Sequence, residues 1–160
     1  MWEKTLPLLL LITANGAPIL IAWRLGQRWD WPLDAGWMLP DGRRLLGESA
    51  TWRGLVAGVA STALLSWLLG LGPGLGALIG FLSLVGDALS SFVKRRLGLN
   101  PGDKATGLDQ IPEALLPLLA VAGPLGLDWL DLILLVTAFT LFDMVVSGPL
   151  YRLRLRRRPY

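Results

Sequence analysis

The sequence predicts an all-α integral membrane protein with about five transmembrane helices, its N-terminus outside and its C-terminus cytoplasmic. Hydrophobic residues make up 53% of the 160 residues and charged residues only 17%, which is more apolar than an ordinary soluble domain. Residues 1–160 are short enough to form a single membrane-embedded domain. Five apolar stretches lie near the ~20 residues that cross a bilayer, at 6–23, 55–71, 75–93, 111–127 and 129–150.

The distribution of basic residues predicts the orientation. Fourteen of the fifteen Lys and Arg residues lie in the first connection, the third connection or the C-terminal tail, and Lys4 is the exception. Short loops rich in Lys and Arg stay on the cytoplasmic side. We therefore expect five crossings of the cytoplasmic (inner) membrane, with the basic tail 152–158 anchored on anionic lipid.

The first stretch carries an asparagine close to a proline. Pro18 lacks a backbone N–H and frees the carbonyl near Ala14, where Asn15 also lies. Asn15 is therefore either a polar contact between helices or a ligand-facing amide beside a kink, and the residues alone leave both open. Glu3 beside Lys4 does not give the positive charge of a secretory signal, so we expect this segment to be retained.

The first connection, residues 26–53, is too long to be a simple turn. Its prolines and glycines divide it into turns, and Asp41-Gly42-Arg43-Arg44 presents two guanidinium groups. Charged loops are usually only solvated. The tryptophans and paired arginines of this one favour a long structured cytoplasmic loop that lies over the inner membrane face.

The third stretch carries a stripe of small and polar residues on one helix face, which a membrane helix turns inward. An ionised Asp at the centre of such a helix costs ~2.5–3.5 kcal/mol, so Asp87 needs a cation, a partner or a wet cavity. Three cations follow it, which predicts a site for an anion and a metal at the membrane surface. The alternative is a simple cytoplasmic anchor. The stripe comprises Gly76, Gly80, Ser83, Asp87, Ser90, Ser91 and Lys94.

The other stretches offer further carboxylates and small residues. Asp109 either starts the fourth helix as its cap or belongs to the site. Asp143 lies about two helical turns before the basic tail, which is roughly the distance of Asp87 from Lys94. Two buried carboxylates at one depth in the membrane would share a cation or leave one carboxyl protonated. The small residues of the second stretch let helices approach closely and would permit a homodimer.

The residue types that are missing exclude several kinds of chemistry. The chain contains no Cys and no His, which excludes disulfides, Ser-His-Asp hydrolysis and His-based zinc sites. Carboxylates, Lys, Arg, hydroxyls and Asn are what is left. This set suits metal-assisted phosphate chemistry better than acyl transfer.

Seven short motifs, taken together and in their order, resemble the CDP-archaeol synthase family, which is related to the CDP-diacylglycerol synthases. The resemblance implies a membrane cytidylyltransferase that joins CTP to a lipid phosphate, needs a divalent cation (Mg²⁺) and releases pyrophosphate. The motifs are Asn15-Gly16-Ala17-Pro18, Pro32-Leu33-Asp34-Ala35-Gly36, Asp41-Gly42-Arg43-Arg44, Thr51-Trp52-Arg53-Gly54, Gly86-Asp87, Ser91-Phe92-Val93-Lys94-Arg95-Arg96 and Leu108-Asp109-Gln110.

This resemblance assigns roles to individual residues. Asp87, Lys94 and Asp109 would be catalytic, and the two carboxylates would hold Mg²⁺. The expected partners are CTP, a lipid phosphate (phosphatidate-like or an ether-lipid analogue) and the membrane, with no nucleic acid. The expected substrate-binding residues are Asn15, Arg43, Arg44, Thr51, Arg53, Ser90, Ser91 and Arg95.

Two positions depart from the family pattern. Ala50 stands where members usually have Lys, and Ile111-Pro112-Glu113 stands where archaeal members have a second Asp. Glu113 is the candidate to replace that carboxylate. Both departures favour the alternative function, a non-catalytic lipid-binding scaffold or small transporter that retains the fold.

Overall fold

The computed structural model describes residues 2–100, 103 and 105–153. Within these residues a short 3₁₀ turn, Trp2–Thr5, precedes five α-helices. The tail predicted to bind anionic lipid lies mostly outside the described residues, as do Pro101, Gly102 and Lys104. The helices are α1 (Leu6–Leu25), α2 (Trp52–Leu68), α3 (Pro73–Arg96), α4 (Gln110–Leu125) and α5 (Trp129–Arg152).

The helix boundaries follow local sequence signals. The Thr51 hydroxyl accepts a hydrogen bond from Gly54 N at 3.2 Å and caps α2. Asp128 and Asp131 form a reciprocal capping box at the start of α5. Pro73 occupies the first turn of α3, where no backbone N–H is needed. All five helices lie within one turn of the predicted apolar stretches.

The small-residue stripe of α3 faces the protein interior, as the sequence predicts. Gly76, Gly80, Ser83, Ser90 and Ser91 are buried, whereas Asp87 and Lys94 are half-buried at the edge of the stripe. The glycines allow backbone contact between helices. A methyl group on Gly76 would lie 2.3 Å from the Thr62 carbonyl oxygen of α2, and one on Gly86 would lie 2.4 Å from the Pro112 carbonyl oxygen of α4.

An apolar core joins the helices on the side away from the long loop. It contains Leu10 and Leu11 of α1, Ile79 of α3, Leu118 of α4 and Phe139 of α5. Large apolar side chains also cover the outer surface of the bundle, notably on α2 and α5. An apolar exterior around an apolar core is what a bilayer environment requires.

Three helices, α1, α3 and α5, are long and apolar enough to span a membrane. Helix α2 has 17 residues and α4 has 16, both shorter than the ~20 residues of a typical span. The all-helical membrane architecture is therefore confirmed. Five crossings and the orientation of the termini stay predictions.

The two ends of the bundle differ in charge. At the first, Lys4 pairs with Asp131 at 2.5 Å and lies 3.8 Å from Asp128. The pKa of Lys4 is raised, first by the hydrogen bond to Asp131 and further by the charges of both carboxylates. The other end, which we call the loop end, holds residues 26–51, the C-terminus of α3 and residues 97–109. The remaining described cations lie in these segments or in the adjoining ends of α1, α2 and α5, at Arg24, Arg53 and Arg152.

Candidate functional site

Lys94 and Asp109 meet at the loop end. Lys94 Nζ lies 2.5 Å from Asp109 Oδ1, and Asp109 Oδ2 accepts a hydrogen bond from Ala105 N at 3.1 Å. The Lys94 side chain is only 12% exposed. Two residues assigned to catalysis from separate motifs therefore form one partly buried ion pair.

Arg95, the residue that follows Lys94, is buried, with only 5% of its surface exposed. One of its nitrogens, Nη2, donates to the Asn100 carbonyl at 3.0 Å. Its Nε and Nη1 have no hydrogen-bond partner among the described residues. A buried donor without a partner costs ~1–3 kcal/mol, and more when it is charged, so this guanidinium is suited to receiving an anion.

The first loop is tied to the C-terminus of α3 through Arg43 and Arg96. Arg43 Nη1 donates to the carbonyls of Arg95 at 3.1 Å and Arg96 at 2.9 Å, at the C-terminus of α3, where helix carbonyls lack their usual partners. Arg96 pairs with Asp41 and donates to the Arg44 carbonyl at 2.7 Å. These contacts place the loop directly over the end of α3.

Asp34 organises the loop, a role that the sequence did not reveal. Its buried carboxylate accepts 3.1 Å hydrogen bonds from the backbone N–H groups of Gly36, Leu46 and Gly47, and a 2.7 Å bond from Arg44 Nη2. Burial alone would raise the pKa of Asp34, but the bonds from Arg44 and the backbone outweigh it and lower the pKa to about 2. The spacing of Asp34 and Gly36 was the one available signal, since Asp commonly bonds the N–H two residues on.

The other predicted loop residues also have structural partners. Arg53 pairs with Asp30 at 2.7 Å and donates to the carbonyls of Gly26 and Arg28, both at 2.7 Å. Thr51 caps α2, and Ala50 next to it is buried. Substrate contact by Arg43, Arg44, Thr51 and Arg53 stays a prediction.

Asp87 lies seven residues before Lys94, which is ~10 Å along the helix axis. Between them Ser90 and Ser91 are buried, and the Ser90 hydroxyl donates to the Gly86 carbonyl at 2.9 Å. The backbone of α4 contacts α3 at Gly86, next to Asp87. A methyl group on Gly86 would lie 2.6 Å from Glu113 Cα, so the backbone at Glu113 packs against α3 one residue before Asp87.

Asn15 makes the polar contact between helices, and its ligand-facing role stays a prediction. Its Nδ2 donates to the Leu11 carbonyl at 3.0 Å and to Ser83 Oγ at 3.1 Å, which joins α1 to α3. The same residue lines a cleft between α1 and α5 together with Asp143. Gln110, a second residue that sequence reasoning missed, is buried and donates to Asp143 Oδ2 at 3.1 Å.

A metal at this site would take only part of its ligands from the protein. In the part of the chain that the structure describes, no three acidic residues form a ready-made cage for an ion. Mg²⁺ does not need one, because it takes one or two carboxylates together with phosphate oxygens and water. Asp109 has one such oxygen at Lys94, and Asp87 lies ~10 Å along α3 from that lysine, so binding of one metal by both carboxylates stays a prediction.

Comparison with known proteins identifies the family. The model of the CarS-like CDP-archaeol synthase family matches residues 8–75 and 71–160. A CDP-archaeol synthase from Aeropyrum pernix is 36% identical over 166 residues, covering 99% of this chain and 91% of that protein. One from Methanopyrus kandleri is 46% identical over 90 residues, half of each chain.

A solved structure, described as an intramembrane enzyme for archaeal membrane lipids biosynthesis, has the same fold. It superposes with a TM-score of 0.68 at 32% identity, covering 86% of this chain and 90% of that one. The likeness therefore extends over the membrane helices as well as the short motifs. The chain belongs to the CDP-archaeol synthase family, whose members are membrane-bound, CTP-dependent nucleotidyltransferases.

Proposed function

We propose that the chain transfers the cytidylyl group of CTP to a lipid phosphate, in a Mg²⁺-dependent reaction that yields a CDP-activated lipid and pyrophosphate. The observation that supports this most strongly is the buried Arg95, two of whose nitrogens have no partner among the described residues, directly after Lys94 of the Lys94–Asp109 pair in the chain. Arginine and lysine in a water-poor setting bind phosphate oxygens strongly.

The reaction requires little acid–base chemistry. An oxygen of the lipid phosphate attacks the α-phosphorus of CTP, a new P–O bond forms, and the bond between the α-phosphorus and its bridging oxygen to the β-phosphate breaks. Pyrophosphate then leaves. The attacking phosphate is already ionised at neutral pH, so a chain without histidine has the groups it needs.

The chain's main task is to bring two polyanions together and to stabilise charge on the leaving group. Arg95 and Lys94 would bind triphosphate oxygens, and Asp109 holds Lys94 in position. Ser90 and Ser91 lie on the stripe between these cations and Asp87. Asp87 and Asp109 would hold Mg²⁺, which neutralises phosphate charge when bound.

The loop arginines hold the first loop against the C-terminus of α3. Arg43 binds the carbonyls that end α3, while Arg44 and Arg53 hold the loop through Asp34 and Asp30. In the predicted orientation the loop end faces the cytosol. CTP would then enter from the cytosol, and the lipid phosphate would enter sideways from the inner leaflet of the cytoplasmic membrane.

The test is incubation of detergent-purified protein with labelled CTP, Mg²⁺ and a panel of lipid phosphates that differ in chain type and linkage. We expect a CDP-lipid and pyrophosphate in equal amounts from at least one lipid phosphate. Failure with every lipid phosphate, together with an absence of CTP binding, would contradict the proposal. That result would favour the lipid-binding scaffold or transporter suggested by Ala50 and Pro112.

A further inference from the structure

We propose that the bilayer is thin beside the two short helices, α2 and α4, so that the lipid head groups at the loop end lie at the level of Asp87. Helix α2 has 17 residues and α4 has 16, whereas a typical span takes ~20. A short apolar segment can be accommodated by thinning of the surrounding bilayer. The partner in this proposal is the membrane itself, and the inference does not depend on cytidylyl transfer.

The tryptophan side chains mark the boundaries of the apolar layer. Every tryptophan whose burial the structure describes is more than half exposed, although tryptophan is highly buried on average in folded proteins. Exposed tryptophans of membrane proteins concentrate at the two levels of the lipid head groups. Trp23, Trp29, Trp31, Trp37 and Trp52 lie in or beside the first loop, and Trp67 and Trp129 lie at the opposite end.

The spacing of two of these tryptophans gives the thickness of the layer along α2. Trp52 and Trp67 lie at the two ends of the helix, fifteen residues and therefore ~22 Å apart along its axis. Between them, Val56 and Leu64 are 63% and 54% exposed, so apolar side chains face outward over this interval. The hydrocarbon core of a typical bilayer is ~30 Å thick, and tilting α2 would only shorten the interval across the membrane.

Helix α5 has the length that an ordinary bilayer requires. It contains 24 residues, and its end residues Trp129 and Tyr151 are exposed. They are separated by 22 residues, or ~33 Å along the axis. The proposed thinning is therefore local to the side of α2 and α4.

Helix α4 begins at the level of Asp87. A methyl group on Gly86 would lie 2.6 Å from the carbonyl carbon of Pro112, so the two backbones are in contact there. Gln110, the first residue of α4, is two residues and ~3 Å from Pro112. Helix α3 continues for nine residues beyond Asp87, to Arg96, which is ~13 Å further.

Helix α2 begins at the same level. It runs in the opposite direction to α3, and a methyl group on Gly80 would lie 3.1 Å from Val59 Cα. Seven residues from this contact towards the loop end lie Asp87 on α3 and Trp52 on α2. The exposed tryptophan that starts α2 therefore lies at the depth of Asp87.

The fold holds a further indole beside the start of α2. Arg53, which follows Trp52, donates to the carbonyls of Gly26 and Arg28, both at 2.7 Å. The next residue, Trp29, has a φ of 56°, which bulky residues rarely adopt, and its side chain is exposed. Lipid head groups at this level would surround an indole that the protein itself does not bury.

This arrangement changes the environment of the candidate site. Asp87 would lie among the head groups and not in hydrocarbon, which lowers the cost of keeping its carboxylate ionised. Lys94, ~10 Å further along α3, would lie on the aqueous side of the head groups. The phosphate of a membrane lipid would then lie at the depth of the site without leaving the bilayer.

The experiment measures the thickness of the apolar layer beside α2. A nitroxide is attached to single cysteines in the full-length, cysteine-free chain, in phosphatidylcholine nanodiscs. Its depth below the nearest head groups is measured from collisions with oxygen and with a nickel complex. Labels at Val56→Cys and Leu64→Cys are ~12 Å apart along α2, and this separation together with the two depths should give ~22 Å.

Matched labels on α5 are the control. Ile133→Cys and Val145→Cys also replace exposed apolar residues and are ~18 Å apart, and they should give the ~30 Å of an ordinary bilayer. The same ~30 Å on the α2 face would overturn the inference, because α2 would then be accommodated without thinning. Labels on α2 that both lie in water would also overturn it.

A second measurement uses unlabelled protein in nanodiscs with myristoleoyl, oleoyl or erucoyl chains. We expect the unfolding temperature to fall in that order, as the bilayer becomes thicker than α2 can match. Trp52→Ala combined with Trp67→Ala should remove most of the difference, whereas Trp37→Ala in the loop should keep it. An unfolding temperature of the parent that does not fall as the chains lengthen would overturn the inference. Neither measurement uses CTP, so both results stand whether or not the protein makes a CDP-lipid.

Discussion

Arg95 combines burial with unsatisfied hydrogen-bond donors, a combination that is unfavourable unless a ligand completes it. Its Nε and Nη1 lack partners among the described residues, although the side chain lies inside the protein. A purely structural arginine at this position would be expected to use these donors within the fold. The geometry therefore favours an anion as the missing partner.

We predict that Arg95→Met weakens CTP binding about tenfold or more, since a charge-assisted hydrogen bond is worth ~1.5–3 kcal/mol. The same change removes a buried, incompletely paired charge, so thermal stability in detergent should be equal to or above that of the parent. Isothermal calorimetry and thermal unfolding measure the two effects. Unchanged CTP affinity with reduced stability would show that Arg95 is structural.

At the scale of elements, the long loop depends on one carboxylate. Asp34 binds Arg44 and three backbone N–H groups, and the folded loop holds its pKa at about 2 against an ordinary value of 3.8. A carboxyl with a lowered pKa stabilises the fold above its ordinary pKa, and this stabilisation is lost as the pH falls towards the folded value. The difference corresponds to about 2 kcal/mol.

We therefore predict that the amides of Gly36, Leu46 and Gly47 lose hydrogen-exchange protection between about pH 4 and pH 2, after correction for intrinsic exchange rates. Asp34→Asn should lack this transition and show weaker protection near neutral pH. Parent protection that is independent of pH across the same range would contradict the assignment.

The contact between α3 and α4 depends on Gly86. A methyl group there would overlap the Pro112 carbonyl at 2.4 Å, and the atoms in contact belong to the backbone. We predict that Gly86→Ala destabilises the protein by ~1–3 kcal/mol through overpacking. Gly74→Ala, which meets open space in the same helix, should not. If both variants unfolded at the same temperature in detergent, α3 and α4 would be able to move apart at Gly86 without loss of stability, and the prediction would be wrong.

The helices could be predicted from the sequence because their apolar stretches and small-residue stripe are local patterns. The stripe from Gly76 to Ser91 also gave the correct buried face of α3. The pairing of Lys94 with Asp109 followed only in part, since their motifs suggested a common site but not direct contact. The sequence did not predict the partners of Asp34, Asp30 and Gln110. These partners depend on how a 26-residue loop and three helices come together.

At the scale of the whole molecule, charge separates the two ends. Lys4 is paired with Asp131 at one end, while the described arginines and Lys94 gather at the other. Lysine and arginine in short loops favour the cytoplasmic side. This asymmetry supports the predicted orientation, with the loop and the candidate site facing the cytosol.

Single cysteines in this cysteine-free chain test the orientation. Replacements of the exposed Gln27 and Thr106 should react with an impermeant maleimide only after permeabilisation. Replacements of Gly74 and Gly123, at the opposite end, should react in intact cells. Labelling of Gln27→Cys from outside would contradict a cytosolic site for CTP.

The most direct measurement of the central claim is pyrophosphate release from CTP by the parent protein and by Asp87→Asn. With lipid phosphate and Mg²⁺ both present, we predict release by the parent, and no release when either is omitted. Asp87→Asn should reduce the rate by about a hundredfold or more, as expected for losing a group that stabilises developing charge, while expression stays at the parent level. Glu48→Gln, an exposed carboxylate in the loop, should keep the parent rate. Release by Asp87→Asn at the parent rate would contradict a metal-assisted cytidylyl transfer centred on α3.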